Sequence, residues 1–376
     1  MTGIIRKVRT GFASDVAIRL AGASGGVITQ TLLHLLETKR ISAAIVARQG
    51  LPAAAEASPV FAYDVADILA AAGSVYIPVP MLSALEHVKS GEVYAMTCTA
   101  EQSAELRELQ RQGDARALQV KYVLGPYTGT ALEPIALDYY IRSNGIPKSD
   151  ALVSLKWRAG EWPGYLELVF QSGRILRSPK VYYNFLIPFF VTRTSLFNMD
   201  FCNEFADLAV GDAWSPKFEA KREGMSVVVT RTAEMEAIVA EMACEGLLTV
   251  VEADSHTASD MHGHMLDFKK RGGYIRGRFA KFFGKAVPDY GYHPMNIAKS
   301  RYLVEALMSA VFLCCRTRLV RWLVCQIPES ILGPCFNRLR LVWKGLSRPT
   351  KRKGLAEYKV AIHDFLDTEG TGNTDL

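Results

Sequence analysis

The sequence predicts an α/β fold: an N-terminal βαβ-type lobe, a mixed α+β lobe, and a C-terminal helical extension. Three observations carry that expectation. Short apolar, β-branched runs alternate with helical-period segments up to residue 124. Strand-like runs become denser from residue 152. Beyond residue 300 the chain turns basic and amphipathic. At 376 residues it is long enough to bury a large core and hold two domains.

The elements follow in order. Residues 15–21 are rich in apolar side chains and read as the first strand. A turn of small residues, 22–26, leads into a helix over 27–38. Residues 41–47 read as the next strand, followed by a helix over 65–72, a strand over 75–79 and a helix over 81–89. Residues 93–97 and 120–124 read as strands on either side of a helix over 100–111, whose polar face carries Glu and Arg. Strands that alternate with helices imply βαβ units and a largely parallel sheet. Later strands are expected at 152–157, 165–170, 208–210 and 227–230. The expected boundaries are an N-terminal lobe over 13–95, a C-terminal lobe over 96–290, a basic helical extension over 291–353 and a tail over 354–376. The tail is polar after residue 366 and is expected to be disordered there.

Hydrophobic content of 49% against 22% charged residues is ordinary globular usage and agrees with a soluble protein. Cys98, Cys202, Cys244, Cys314, Cys315, Cys325 and Cys335 make an odd set without framework spacing, which reads as reduced cytosolic thiols. The first seven residues lack the long apolar core of a signal peptide. A cytoplasmic protein is expected.

The net charge of +6 is unevenly placed. Between residues 300 and 353 eleven Lys/Arg face only Glu305 and Glu329, a balance of +9 that leaves −3 elsewhere. The longest uncharged run in the apolar part of that stretch, 306–315, is ten residues. A spanning helix needs roughly 20. Leu319, Val320, Leu323 and Val324, then Leu339, Leu341, Val342 and Trp343, are interleaved with arginines. The pattern suits a helix lying on the anionic inner face of a membrane. It suits equally an amphipathic helical pair packed on the core or on a partner subunit. The basic residues match no known nucleic-acid module, so nucleic acid is not an expected partner.

Three segments are candidates for ligand contact. Gly22-Ala23-Ser24-Gly25-Gly26 sits between a strand and a helix. Small residues there let a phosphate approach backbone amides, with Ser24 as N-cap; they also simply pack tightly. Gly73 and Ser74 offer a second close backbone approach and a hydroxyl, with Tyr76 either at a ligand or in the core. Asp207, Gly211 and Asp212 lie along a strand before Trp214, where a carboxylate accepts hydrogen bonds from a ligand or caps a turn. His256, His262 and His264 with Asp260 and Asp267 match no metal-ligand spacing, and no metal is expected. The basic run Lys269-Lys270-Arg271 to Arg276 and Arg278 reads either as a partner for a phosphate or acidic substrate, or as a solvated helix face. No Walker loop, H-E-x-x-H or G-x-S-x-G motif is present.

Five segments carry a family resemblance, in family order, over residues 15–290. They are Gly22-Ala23-Ser24-Gly25-Gly26-Val27-Ile28-Thr29, Gly73-Ser74-Val75-Tyr76, Trp157-Arg158-Ala159-Gly160-Glu161-Trp162-Pro163-Gly164, Ala206-Asp207-Leu208-Ala209-Val210-Gly211-Asp212-Ala213-Trp214 and Gly224-Met225-Ser226-Val227-Val228-Val229. Together they resemble the coenzyme F420 hydrogenase/dehydrogenase beta-subunit family. The resemblance implies an FAD-dependent oxidoreductase, with FAD held by Ser24, Gly25, Gly26, Gly73, Ser74, Tyr76, Asp207, Gly211 and Asp212. It implies no catalytic residue. It also implies a [4Fe-4S] cluster on four cysteines, a ligation that tolerates few substitutes. This chain keeps Cys98 but carries Thr128, Ser195 and Asn198 at the other three places, with Cys202 four residues beyond Asn198. No four-thiolate cluster is expected, and Cys98 is expected to be a buried thiol or a free nucleophile. Without a cluster, hydride donors or direct substrate exchange are favoured over single-electron delivery. The substrate or electron carrier stays unnamed. The alternative is a non-redox or accessory protein on the same fold, alongside polysaccharide biosynthesis at the membrane surface.

Overall fold

Residues Lys7–Ala13 form β1, with Val8 buried on one face, Arg9, Gly11 and Ala13 on the other, and Lys7 in water. The computed structural model describes residues 3–179, 186–346 and 360–362. The remaining strands up to residue 252 are β2 (Ala43–Gln49), β3 (Ala57–Ala62), β4 (Tyr94–Thr97), β5 (Val120–Pro126), β6 (Leu152–Ala159), β7 (Tyr165–Phe170), β8 (Ile175–Pro179), β9 (Leu208–Asp212), β10 (Ser226–Thr230) and β11 (Leu248–Glu252). Eight of them form one sheet in the order β11-β1-β10-β9-β5-β4-β2-β3. Strands β6, β7 and β8 form a separate antiparallel sheet. Strands from both expected lobes are thus hydrogen-bonded into one sheet.

The large sheet is mixed rather than largely parallel. Its centre, β2-β4-β5-β9, is parallel. Both flanks are antiparallel: β3 on one side, β10, β1 and β11 on the other. The reason on the β3 side is length. Only residues 50–56 join β2 to β3, too few for a crossover, so the chain must turn straight back. The central parallel strands read as continuous apolar runs because both of their faces are covered. Ala44 and Val46 face Leu32, Leu35 and the buried side of the helix Ala233–Cys244. Ala43, Ile45, Tyr94 and Met96 face Leu106 and the 3-10 turn Met81–His87.

Helices α1 (Val16–Ala21), α2 (Val27–Glu37), α3 (Val65–Ala70), α4 (Ala100–Arg111) and α5 (Ile135–Ser143) come next in chain order. Two expectations fail in physical terms. Residues 15–21 are not a strand: Asp15 caps a helix by accepting from the amides of Ala17 and Ile18 at 2.7 and 3.1 Å. Residues 75–79 are not a strand either, because Pro78 and Pro80 remove ladder donors. The smaller sheet packs with α5, Phe189 and Phe190 into a second core.

The C-terminal stretch is helical, as expected: Lys299–Cys315, Arg318–Val324 and Glu329–Leu346. No helix among the described residues is long and apolar enough to cross a membrane. Tyr292–Pro294 pairs antiparallel with Val360–Ile362. The rest of the expected tail, including the stretch after residue 366, lies outside the described residues.

Candidate functional site

Strands β2, β4, β5 and β9 run parallel, and β1 shares their direction because β10 lies antiparallel between it and β9. Their carboxyl ends therefore open on one edge, the place where open α/β sheets hold ligands. The Gly22–Gly26 turn sits there. Gly25 donates its amide to Ser226 Oγ at 2.9 Å, and Ser24 donates its hydroxyl to Met225 O at 2.6 Å. A side chain on Gly25 would meet Gly11 O at 2.6 Å, and one on Gly26 would meet Ile18 O at 2.7 Å. These glycines bring backbone against backbone, and Gly26 opens α2 with φ of +71°. The first-turn amides of α2 have no intrahelical acceptor, as in any helix.

Gly73 faces the same turn, its nearest neighbour being Ala21 O at 3.8 Å from where a Cβ would lie. Ser74 beside it is half-buried. Ser226 is also the cross-strand partner of Asp212. Asp212 accepts from Arg158 at 3.0 and 3.1 Å and from Trp162 Nε1 at 3.2 Å. Trp162 packs on Trp214 with ring centroids 4.7 Å apart. The neighbouring Trp157 donates to Gln49 Oε1 at 3.1 Å and receives Tyr76 edge-on at 5.7 Å. The small sheet is thereby fastened over the carboxyl ends of β2 and β9. Gly211 lies under the Tyr127 ring.

Eight of the nine expected contact residues therefore meet at one edge, and Asp207 does not. It lies at the opposite end of β9, about 15 Å along the strand from Asp212. There its carboxylate accepts from Arg107 and from the Val123 amide, both at 2.8 Å, joining α4 to the sheet. Arg158, Trp162 and Ser226 belong to the edge although no role was expected of them. The signal for them lay in the motif segments that carry the resemblance.

The segments expected to hold a cluster also meet. Asn203 donates to Cys98 O at 2.7 Å, and the Thr128 amide to Phe201 O at 2.9 Å. Asn198 donates to Glu101 at 2.7 Å and accepts from the Asp200 amide and the Tyr290 hydroxyl. Ser195 Oγ accepts from the Ala131 amide at 2.9 Å. Burial pushes both Cys98 and Cys202 up to about 12, so neither is a thiolate at neutral pH. One thiol and three engaged oxygen or amide groups do not fit a four-thiolate cluster.

What fills this centre was not expected. Within the basic run Lys269, Lys270 and Arg276 are buried rather than on a solvated face, while Arg278 is exposed. A π-type turn over Phe268–Gly272 turns Lys269 and Lys270 inward, and both are fully buried. Lys269 donates to Ser195 O at 3.0 Å, and burial lowers it to about 8. Burial would also lower Lys270, but Glu204 and Tyr292, both bonded to it, hold it raised. Asp200 receives the Glu204 amide on one oxygen, while the other makes no hydrogen bond among the described residues. His262 is enclosed between Tyr127 and Phe201, and His264 is exposed.

Burial, then the nearby Glu204, raises Asp200 from 3.8 to about 6. A folded value above the unfolded one means that the folded state holds the proton more tightly. The sign is that stability falls as pH rises from about 4 through about 6. Asp200→Asn is expected to lose that slope. It should gain up to about 3 kcal/mol relative to wild type above pH 6 and little near pH 4. Urea unfolding at pH 4.5 and 8 measures it; parallel pH profiles for both proteins would reject the assignment.

The sequence and the fold have counterparts among known proteins. Two family models described as "Coenzyme F420 hydrogenase/dehydrogenase, beta subunit" match the chain, the N-terminal one over residues 8–86 and the C-terminal one over residues 91–256. Together they cover well over half of the chain. Among solved structures, the fold is similar to a chain in the xenon-derivatised F420-reducing [NiFe] hydrogenase complex from Methanosarcina barkeri. The two share 17% identity at a TM-score of 0.59, over 77% of this chain and 97% of that one. No curated protein matches.

Proposed function

Because the chain belongs to the coenzyme F420 hydrogenase/dehydrogenase beta-subunit family, an oxidoreductase-related group, we propose that it is an FAD-dependent oxidoreductase working without a four-thiolate [4Fe-4S] cluster. One observation carries the reading: the Gly22–Gly26 turn and Gly211–Asp212 meet through Ser226 on one sheet edge, with Gly73 beside Ala21 at the entry to that turn. FAD, when bound, supplies two-electron hydride chemistry. The α2 amides suit a diphosphate, and Gly73, with only Ala21 O near where a Cβ would lie, leaves open backbone next to Ser74. Arg158 and Trp162 fix the Asp212 carboxylate, and Tyr76 with Trp157 walls the small-sheet side. The substrate is an unassigned small molecule or electron carrier. A partner subunit is part of the reading, since the similar chain sits in a multi-subunit hydrogenase complex. The reading places the protein in the cytoplasm, where its thiols stay reduced.

A second reading has its own support. The Ser24 hydroxyl, the Gly25 amide and the Asp212 carboxylate already have intramolecular partners. An accessory, non-redox protein on this fold, serving polysaccharide biosynthesis at the membrane surface, would show that arrangement.

The test is an absorption spectrum of freshly purified protein, with FAD titration and iron and acid-labile sulfide assays on anaerobic samples. Flavin bands and about one FAD per chain are expected, with no stoichiometric iron. An absence of binding at tens of micromolar FAD, weaker than roughly −6 kcal/mol, would hand the function to the accessory reading. About four iron per chain would overturn the cluster-free assignment.

A further inference from the structure

The helix Lys299–Cys315 turns Arg301 and Glu305 inward. Arg301, Glu305, Met308, Phe312 and Cys315 are buried. The opposite face leaves Leu303, Ala306, Leu307, Ala310, Leu313 and Cys314 exposed, an uninterrupted apolar stripe at helical spacing. The next two helices also expose large apolar side chains, Leu319, Trp322 and Leu323, then Ile331, Leu339, Leu341 and Val342. Across the three helices these large side chains are between 37% and 68% exposed. Soluble monomers rarely leave so much apolar surface contiguous along a helix without a partner.

Charge identifies the partner. Of the cations expected to point outward, several do not. Arg316 and Arg321 pair with Glu133 at 3.0 and 2.8 Å, and Arg301 pairs with Asp267 and Glu305. Lys299, Arg318 and Arg338 remain exposed, and no exposed acid is present among the described side chains of these helices. The sequence beyond them adds Arg348, Lys351, Arg352 and Lys353. A second copy docking face to face would bring like charges together with no exposed acid among the described side chains of these helices to answer them. An anionic lipid surface answers every one, and an exposed tryptophan among leucines suits the headgroup boundary.

We infer that the helices over residues 299–346 form a docking face for anionic phospholipid, lying in the interface without crossing it. The face lies on residues other than those of the proposed cofactor edge, so either assignment stands without the other.

The experiment sediments the full chain with vesicles of phosphatidylcholine containing about one-third phosphatidylglycerol, and with phosphatidylcholine alone. Binding is expected to be at least tenfold weaker on neutral vesicles and in 0.5 M salt, since screening shortens the reach of the cations. Leu307→Glu with Leu313→Glu changes exposed positions only and should weaken binding at least tenfold. Its circular dichroism and its FAD titration should match wild type, which separates this test from that of the cofactor. Binding that ignores lipid charge, or survives the double substitution, overturns the inference. A dimer in sedimentation velocity that the double substitution abolishes, without vesicle binding, would assign the face to a second copy.

Discussion

Glu305→Ala is expected to lower stability by about 3–5 kcal/mol, the penalty for leaving buried charge uncompensated. Glu305 is fully buried. It accepts from Arg276 and, at 2.6 Å, from Arg301. Burial opposes its ionisation, but those two guanidinium groups hold its carboxyl below the ordinary value. Arg276 also donates to Leu196 O at 2.7 Å, so the carboxylate ties the helix Lys299–Cys315 to the segment that ends at Asn198. The depressed folded value means that its stabilisation is present at neutral pH and is lost as pH falls through that value. Urea unfolding of wild type, Glu305→Ala and Glu305→Gln at pH 7 provides the measurement. Gln should lose less than Ala, because it still accepts one hydrogen bond. A loss under 1 kcal/mol for Ala would mean that the network contributes little to holding this helix.

Gly25→Val is expected to abolish FAD binding, a loss of at least a hundredfold or about 2.7 kcal/mol. The added Cβ alone would lie 2.6 Å from Gly11 O and 2.8 Å from Ser226 Oγ. Neither neighbour is the loose end of a side chain. The strain must move the turn off β1 and β10, at about 1–3 kcal/mol of overpacking. Ser226→Ala is the companion: it leaves the buried Gly25 amide without its acceptor, for about 1–3 kcal/mol. Thermal melts and FAD titration of both variants separate stability from binding. Wild-type affinity in Gly25→Val would remove this turn from the cofactor site.

The parts legible in the sequence share one physical cause. β4, β9 and β10, with residues 43–46 of β2 and 122–125 of β5, are largely buried on both faces, so they read as mostly apolar runs. β1 did not read that way because Lys7 and Arg9 interrupt it, although Arg9 is buried against Glu236. The run at 15–21 misled for the opposite reason: Val16 and Leu20 are apolar yet 68% and 65% exposed. The Asp15 cap was the better signal there. At the site, the glycine turns and the missing cysteines were visible as residue types. Two things were not. Asp207 and Asp212 look alike in one strand, and only topology sends them to opposite ends. The inward turn of Lys269 and Lys270 depends on one extra residue in a helical turn, which no periodicity announces.

The position of β1 bears on how the chain is made. Its register partners are residues 226–230 on one side and 248–252 on the other. A nascent chain emerges at about 5–20 residues per second. β1 therefore waits roughly 12–50 seconds after its own synthesis before both of its partners exist. During that interval Val8 and Phe12 have neither strand neighbour. Any message that ends before residue 252 yields a polypeptide whose sheet cannot close.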